Sequence, residues 1–429
     1  MGNVLNFQVI LILVAFIAAI VLMMTKKLPA ILALPILGIV IAFIAGVPFR
    51  TPEDTDGQTI MAFVIAGGAS KLASTIMATI FGSIFARIIQ KQGISDAIIR
   101  KAAELAGDKP VAIAIVLTAA TALIFTAISG AGPVIMVSTI VIPLFLSAGI
   151  APVIAASLVL MGLSIGLLFN VANYQMYIDT IGMDLELIKS TSIVMGLISA
   201  VVTLVYIFVN VNKKSVRSSW ALPKNEETKK VNIVALLSPL VPILLVFLFN
   251  FNAETSLLAA IVFTTVVTTP KKFIQVVSSA VVEGIKDVAG VIGLMMGIGI
   301  LLNGVTSTYT AALMQPLIQE VLPTSAVTYV ILFAVLSPLA LYRGPLNMYG
   351  LGSGLANILL AAGTMSPAAV GMALRSTSIV QCISDPTNTQ NVITADYAKV
   401  DVNEILKSTL PYTMVIALIT LIYTAIFIY

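Results

Sequence analysis

The chain contains no histidine, a single cysteine and few charged residues. Without histidine it cannot form an imidazole metal site, a Ser-His triad or a histidine proton relay. Cys382 alone cannot form an intrachain disulfide. Only 10% of the 429 residues are charged, whereas soluble domains average about 25%. The scarcity of charge excludes an ordinary soluble domain.

The chain is instead rich in apolar residues: 59% of its residues are hydrophobic and the mean hydropathy is +1.08. Runs of about 20 apolar residues, enough to cross a bilayer, recur along it. The net charge of +4 does not indicate a nucleic-acid partner, because the basic residues lie in short loops between apolar runs. The first run, 7–24, is followed rather than preceded by lysines, which predicts a spanning helix instead of a cleaved signal peptide. We predict an all-α polytopic membrane protein that has the lipid bilayer as a partner.

The two halves of the chain share short patterns in the same order. The spacing between partners is 211 to 218 residues, close to half the chain. This regularity predicts an internal duplication, with repeats 1–211 and 232–429 joined by a hydrophilic linker, 212–231. The matched pairs are Gly93 with Gly304, Gly132-Pro133 with Gly344-Pro345, Asn173-x-Gln175 with Asn388-x-Gln390, and Lys189-Ser190-Thr191 with Lys407-Ser408-Thr409.

Charge in the loops indicates how the repeats are oriented, because Lys and Arg favour the cytoplasmic side of a membrane. Segment 91–109 carries four basic residues, whereas its counterpart 303–325 carries none. Segment 176–187 is acidic, its counterpart 394–407 contains two lysines, and 212–230 is strongly basic. Opposite signs in matched loops predict inverted-topology repeats, with both termini outside and the linker in the cytoplasm.

Each half contains two apolar runs joined by a Gly-Pro step. In the first half, runs 111–128 and 134–148 flank Ser129–Pro133; in the second, the junction is Tyr342–Asn347. A tight turn between two complete spans is the simpler interpretation. However, the first junction carries no charge, which an aqueous turn normally would. We therefore predict re-entrant hairpins whose tips lie at mid-membrane depth.

Further along each half, an apolar run is interrupted by polar residues, at 169–175 and at 385–391. These could be ordinary helix ends at the membrane interface. They recur at matching places, however, and are rich in Asn, Thr and Gln, whose oxygens bind cations without carrying charge. Unwound carbonyls beside such side chains suit a desolvated Na⁺. We predict an interrupted helix in each repeat, as in secondary transporters.

Charged residues in the apolar part of the second half are candidates for function. An ionised side chain at mid-membrane depth costs about 2.5–3.5 kcal/mol on insertion scales. Alternatives remain for each: Arg343 could extend to the interface, Arg375 could pair with Asp385 or a helix end, and Asp385 could cap a helix.

The order of elements resembles the ion-transporter superfamily of secondary permeases, which includes divalent-anion/sodium symporters and the citrate and gluconate permeases. The segments that carry this resemblance are 81–107, 128–152 and 169–191, with their second-half equivalents. The resemblance implies a scaffold formed by the early spans of each repeat. It also implies a mobile transport domain that contains both hairpins and both interrupted helices, moves as an elevator and belongs to a homodimer.

From these features we predict a symporter in the cytoplasmic membrane that moves a small organic anion with Na⁺ or H⁺. The predicted substrate-binding residues are Ser129, Gly130, Gly132, Asn173, Arg343, Gly344, Asn347, Arg375 and Asn388. The predicted ion-coupling residues are Asn170, Gln175, Asp385, Thr387 and Thr389, and Na⁺ could bind at Asp385 and Thr387.

No cofactor beyond that ion is expected, and without a Walker A pattern ATP does not drive the transport. An exchanger or antiporter of carboxylates, or of an amino-acid-like zwitterion, is an alternative. An ion channel would need a continuous polar stripe, whereas polarity here is confined to the helix breaks. A membrane-embedded enzyme would have to work with carboxylate or Ser-Lys chemistry alone, so we predict that the protein is not an enzyme.

Overall fold

The computed structural model describes residues 6–25, 27–50, 58–211, 231–321, 323, 325–361, 363 and 365–429. Over these ranges the chain is helical and contains no β-strand. The acidic segment around Glu53 and the predicted linker 212–230 lie outside the described residues. The predicted division into two repeats and a linker therefore stays a prediction.

The helices of the first half begin with two apolar segments and end with one of 26 residues. They are α1 Phe7–Met24, α2 Ala30–Ile44, a π-helix Ile60–Gly67 that continues into α3 Gly68–Ser70, α4 Ala73–Lys91, α5 Ile94–Ala106, α6 Pro110–Phe125, α7 Ala131–Ser147, α8 Pro152–Leu167, α9 Val171–Ile181 and α10 Leu185–Asn210.

The second half follows a similar order and also ends with a helix of 26 residues. Its helices are a 3-10 helix Ile233–Leu240 that continues into α11 Val241–Phe249, α12 Ala253–Thr268, a 3-10 turn Pro270–Lys272, α13 Phe273–Thr306, α14 Thr308–Val321, α15 Ala326–Leu336, a 3-10 segment Ser337–Arg343, α16 Gly352–Ala361, α17 Pro367–Ser384, α18 Thr389–Ala398 and α19 Val402–Phe427.

Within the described residues, six helical segments are long and apolar enough to cross a membrane. The pair α8 and α9, bent by 61° at their junction, would form a seventh. Several shorter apolar helices, among them α6, α7 and α16, accompany them. Apolar runs form helices in lipid, because a helix pairs the backbone N–H and C=O groups that would otherwise be costly to bury. The prediction of a multi-pass, all-α membrane protein is confirmed.

Helices α2, α4 and α13 pack closely because small residues lie between them. A Cβ atom added to Gly304 on α13 would come within 2.2 Å of the Gly38 carbonyl oxygen on α2, and one added to Gly284 on α13 within 2.8 Å of the Ile84 amide nitrogen on α4. Small residues allow helix backbones to approach in membranes, where the hydrophobic effect does not drive helices together. Helix α12 joins the group by packing against α4. We call α2, α4, α12 and α13 the four-helix group.

A second set of helices packs around α8 and α17. Helix α6 packs against α8, α7 packs against α18, and α17 lies between the 3-10 segment Ser337–Arg343 and α19. The long helices α10 and α19 contact each other, and both begin at an aspartate N-cap, Asp184 and Asp401. N-cap side chains satisfy backbone amides that have no partner in the first helical turn.

The helix breaks occur where they were predicted but are shorter. In the first half only Leu168–Asn170 separates α8 from α9, so Asn173 and Gln175 are helical. In the second half only Asp385–Asn388 separates α17 from α18. Side-chain amides cap the broken ends, as described below, and this lets the next helix start at once. Because the first break is this short, α9 extends to Ile181 and includes part of the segment 176–187, which was predicted as a loop.

One of the four matched patterns does not hold in three dimensions. Gly93 has a φ of +70° between α4 and α5, whereas Gly304 lies inside α13 against Gly38. The breaks provide a better match, because Asn170 and Asn388 are both N-cap residues of the helix that follows. Their spacing along the chain equals that of Lys189 and Lys407.

Candidate functional site

Residues of both predicted hairpin junctions and of both helix breaks line one cavity of about 270 Å³. Helix α13 of the four-helix group forms its apolar side with Val288, Val291, Leu294 and Met295, and α4 contributes Thr79. The other wall residues are Ser129, Gly130, Ser164, Leu167, Leu168, Asn170, Ala172, Asn173, Tyr177, Arg343, Asn347, Tyr349, Ser378, Ile379, Gln381, Cys382, Asp385, Asn388 and Gln390.

The first junction is an exposed turn between α6 and α7. Gly130 has a φ of +104°, a backbone conformation that residues other than glycine rarely adopt. Ser129 and Gly130 are exposed and line the cavity. Gly132 lies one residue inside α7 and faces Arg87, whose Nη2 would be 4.0 Å from a Cβ atom there. The structure therefore places Ser129 and Gly130 at the cavity, but not Gly132.

The second junction has a strained backbone. Tyr342 and Arg343 have φ values of +56° and +57°, in the left-handed region. Such a pair of residues turns successive backbone amides toward one point, where an anion can bind them. Gly344 follows and is buried, because a Cβ atom there would lie 2.1 Å from the Leu339 carbonyl oxygen. Gly344 thus permits the turn and does not line the cavity.

Asp385 is the anion that binds this turn. Its Oδ1 accepts a hydrogen bond from the Tyr342 amide at 3.0 Å, and its Oδ2 accepts one from the Arg343 amide at 3.4 Å. Oδ1 also accepts from the Thr387 amide at 2.8 Å and from the Thr387 hydroxyl at 2.7 Å. The carboxylate is fully buried. It therefore joins the second junction to the second helix break.

The guanidinium of Arg343 does not bind Asp385. Within the described residues its amide binds Asp385, while its guanidinium has no hydrogen-bond or ion-pair partner. The side chain is half-buried and lines the cavity. A free guanidinium offers five donors in a planar fork, which matches a carboxylate. Among the described residues of the wall, Arg343 is the positively charged group and Asp385 the negatively charged one.

Asparagine side chains hold the first helix break. Asn170 Oδ1 accepts from the Ala172 and Asn173 amides, and Asn170 Nδ2 donates to the Phe125 carbonyl at the end of α6. Asn173 Nδ2 donates to the Leu167 carbonyl at the end of α8, and Asn173 Oδ1 accepts from the Tyr349 hydroxyl at 2.8 Å. The last bond links the two halves of the chain across the cavity.

Amide side chains also cap the broken end of α17. Gln390 Nε2 donates to the Cys382 carbonyl at 3.0 Å, and Asn391 Nδ2 donates to the Ile383 carbonyl at 2.9 Å. These two carbonyls are thus occupied by amides rather than open to a cation. Thr387 donates its hydroxyl to Asp385, and Thr389 is exposed on α18 away from the wall. The described residues contain no group of three or more Cys, Asp or Glu side chains that could hold a metal ion.

Two more predicted residues lie outside the cavity. Gln175 Nε2 donates to Asp179 Oδ1 at 2.8 Å. Asp179 Oδ2 in turn accepts from the amide and hydroxyl of Thr75 near the start of α4. This contact attaches α9 to the four-helix group. Arg375 is buried between α17 and α10 and is not part of the wall.

The predicted site residues thus divide into two sets. Those that the structure brings together at the wall are Ser129, Gly130, Asn170, Asn173, Arg343, Asn347, Asp385 and Asn388. Those that it leaves off the wall are Gly132, Gln175, Gly344, Arg375, Thr387 and Thr389. Within the second set, Gln175, Gly344 and Thr387 hold or shape the elements that carry the first.

Part of the wall was not predicted from the sequence. Gln390 belongs to the Asn-x-Gln pattern that was recognised, and Tyr349 lies two residues beyond Asn347, so both had a signal nearby. The apolar residues of α13 had none, because an apolar residue in a membrane helix looks the same whether it faces lipid or a cavity. Ser378, Gln381 and Cys382 would have required the rotation of α17 to be known.

Comparison with known proteins shows the fold. No family model and no curated protein sequence matches the chain. Among solved structures, the YdaH transporter of Alcanivorax borkumensis is similar with a TM-score of 0.62 and 14% identity, over 92% of this chain and 96% of that one. MtrF of Neisseria gonorrhoeae, described within a class of antimetabolite efflux pumps, has a TM-score of 0.56 and 14% identity, over 93% and 94% of the two chains. The chain therefore has the fold of membrane transporters.

Proposed function

We propose that this protein is a secondary transporter for a small organic anion, coupled to H⁺ or Na⁺. One observation carries the proposal: two hairpin junctions and two helix breaks meet at a single cavity whose wall contains a guanidinium without a partner among the described residues. Broken helices that meet at a polar site are how secondary transporters bind substrates within a membrane. Among the described wall residues no nucleophile is paired with a base, which supports a transporter rather than an enzyme.

The four-helix group contributes mainly apolar residues to the wall, while the charged and amide side chains come from the other elements, and this supports an anion with a carbon skeleton. Arg343 would bind a carboxylate through paired charge-assisted hydrogen bonds. Asn173, Asn347 and Asn388 would bind further polar groups of the substrate. The apolar residues of α13 on the other side would contact its carbon atoms, since a few placed polar groups in an otherwise apolar pocket are typical of small-molecule sites.

Asp385, with Thr387 bonded to it, is our candidate for ion coupling. Its carboxylate binds the amides of the second junction, so neutralising that charge would weaken the link between the junction and the helix break. A proton would do this directly, and Na⁺ would do so by sharing the carboxylate oxygens. The amide caps on the Cys382 and Ile383 carbonyls leave fewer free oxygens for Na⁺, which supports H⁺.

The architecture that we propose for transport follows the sequence analysis. Two inverted repeats with both termini outside would lie in the cytoplasmic membrane as a homodimer. The hairpins and broken helices would move as an elevator against the four-helix group. The resemblance to the ion-transporter superfamily is part of this proposal, as is the alternative of an exchanger. MtrF, which shares the fold, is described among efflux pumps, so outward movement by antiport is the form of exchange that we consider.

The test begins with ligand binding. Purified protein is heated with a panel of monocarboxylates, dicarboxylates and amino acids, in sodium or choline buffer and at two pH values. A ligand at 100 times its Kd stabilises the folded state by about 2.7 kcal/mol. A stabilising carboxylate is then followed in proteoliposomes under a proton or sodium gradient. Gradient-driven accumulation supports symport, and acceleration only by substrate on the opposite side supports exchange. No stabilisation by any anion would contradict the proposal.

A further inference from the structure

Arg375 is a buried cation without an anionic partner among the described residues. Its side chain is 3% exposed. Nη1 donates to the Thr191 hydroxyl at 2.5 Å and to the Ile188 carbonyl at 3.2 Å, and Nη2 donates to the Ser192 hydroxyl at 2.6 Å. All three acceptors are uncharged and belong to α10. The guanidinium is bound by hydrogen bonds, but its charge is not neutralised.

An uncompensated charge of this kind acts over a distance. Arginine keeps its proton in proteins, and burial reduces the screening that water and salt would provide. At an effective dielectric constant of about 20, two unit charges about 10 Å apart still interact more strongly than thermal energy. The field of Arg375 therefore extends beyond the hydroxyl groups that bind it.

Tyr177 connects Arg375 to the cavity wall. The Tyr177 ring centroid is 5.7 Å from Arg375 Cζ, within the range of a cation–π contact. Tyr177 itself lines the cavity, and so does Ser378, whose hydroxyl donates to the Arg375 carbonyl one turn earlier on α17. One aromatic ring thus lies between the guanidinium and the cavity.

We propose that Arg375 is a positioning residue that sets the charge preference of the cavity through Tyr177, without touching the substrate. Arg343 and Asp385 in the wall have opposite charges, and Arg375 adds a positive charge behind Tyr177. Asp179, which lies outside the wall on the same helix as Tyr177, is bound by Thr75 and Gln175 at the four-helix group. The occupant that this arrangement favours is an organic anion. The inference rests on the proposed function for the identity of the occupant, but the charge preference can be measured without transport.

Cys382 provides the probe, because it is the only cysteine and lines the cavity. Purified protein is treated with two methanethiosulfonate reagents of similar size, the anionic sulfonatoethyl and the cationic trimethylammonioethyl compound. The ratio of the two modification rates reports the local charge. A second reporter, Ser129→Cys in a Cys382→Ala background, places the thiol at the exposed first junction.

We expect the anionic reagent to react faster with the unmodified protein. Arg375 and Cys382 are seven residues apart on α17, about 10 Å along the helix. Arg375→Gln should therefore lower the anionic-to-cationic ratio at Cys382 at least tenfold. Arg375→Lys should retain most of the ratio. Arg100→Gln, which removes an equal charge from α5 outside the cavity, is the matched control and should leave it unchanged. A ratio unchanged in folded Arg375→Gln would overturn the proposal.

A second variant keeps the test decisive if Arg375→Gln does not fold. Ser192→Asp retains the arginine and places a counter-charge where Nη2 now binds a hydroxyl. Ser192→Asp should lower the anionic-to-cationic ratio as Arg375→Gln does. An unchanged ratio would again overturn the proposal. Lack of reaction of either reagent at both reporter cysteines would also overturn it. If the ratio falls as expected but no carboxylate stabilises the protein, the proposed function fails while the charge preference stands.

Discussion

Arg343 and Arg375 show how two arginines in one apolar segment acquire different surroundings. Arg343 lies on a left-handed turn held by Asp385, and its guanidinium is left without a partner among the described residues. Arg375 lies inside a helix and is surrounded by the hydroxyls and carbonyl of α10. A free guanidinium at a cavity can bind an anion directly, whereas one that is already bound acts only through its field.

Replacing Arg343 should abolish binding without unfolding the protein. Its side chain makes no described bond that the fold requires, and truncating one partner of a buried charge pair costs about 2–5 kcal/mol. Arg343→Lys keeps the charge but loses the fork, so its ligand-dependent thermal stabilisation should fall between those of the unmodified protein and Arg343→Ala. Lys286→Ala, which removes an exposed cation on α13, is the control. Undiminished stabilisation of Arg343→Ala would show that this guanidinium does not bind the substrate.

Asp385→Asn tests ion coupling. The amide retains one acceptor oxygen but presents an NH₂ group to one of the backbone amides, so the bond to the Tyr342 or Arg343 amide should be lost. Gradient-driven accumulation in proteoliposomes should fall more than exchange of substrate at equilibrium. Asp396→Asn, which neutralises an exposed carboxylate on α18, should leave both unchanged. Equal loss of accumulation and exchange would indicate that Asp385 only holds the turn.

At the scale of elements, side-chain amides and glycines allow helices to break and to pack. The amides of Asn173, Gln390 and Asn391 occupy carbonyls at broken helix ends, so a new helix can begin within a few residues. Glycines in the four-helix group remove the atoms that would hold α2 and α13 apart. A buried backbone group without a partner is costly, and the same holds for overpacked contacts.

Gly304→Ala should therefore destabilise the protein. The new Cβ would lie 2.2 Å from the Gly38 carbonyl oxygen, and overpacking of this kind costs about 1–3 kcal/mol. The thermal unfolding temperature in detergent should fall. Gly290→Ala, on the same helix with nothing within 4 Å of its Cβ, is the matched control and should not lower that temperature. If both variants changed the unfolding temperature equally, α2 would be able to move away from α13 at no cost in stability.

At the scale of the whole molecule, the orientation in the membrane follows from loop charge. The basic linker 212–230 is predicted to be cytoplasmic and both termini outside. A cysteine at Ser218 in a Cys382→Ala background should resist a membrane-impermeant thiol reagent in intact cells and react after lysis. A cysteine at Asn6 should react in intact cells. The reverse pattern would contradict the inverted-repeat topology.

The elevator proposal predicts that linking α9 to the four-helix group stops transport. Asp179 on α9 accepts hydrogen bonds from Thr75 on α4, so cysteines at these positions lie close enough for a short bifunctional thiol reagent. Cross-linking them in a Cys382→Ala background should abolish transport of the carboxylate found by thermal shift. The control is a cross-link between cysteines at Gln92 and Thr269, which lie at the ends of α4 and α12 within the four-helix group. This cross-link should not abolish transport. Transport that survives the first cross-link would exclude movement between α9 and α4.

The sequence by itself determined that the chain is helical, crosses a membrane and interrupts its helices at clusters of polar residues and glycine. These are local properties: about 20 apolar residues span a bilayer, and clusters of polar residues mark where the helices are interrupted, whereas prolines such as Pro35 and Pro411 lie inside helices. The sequence also singled out half of the polar residues that line the cavity, because charged and amide side chains are rare in such a chain.

Only the tertiary structure decided which of these residues meet. Asp385 binds amides more than 40 residues away along the chain, and the rotation of α17 turns Ser378 to the cavity but Arg375 to α10. The apolar wall from α13 is likewise a product of packing. Such pairings depend on the angles at which helices cross, which many side chains determine together and no short pattern encodes.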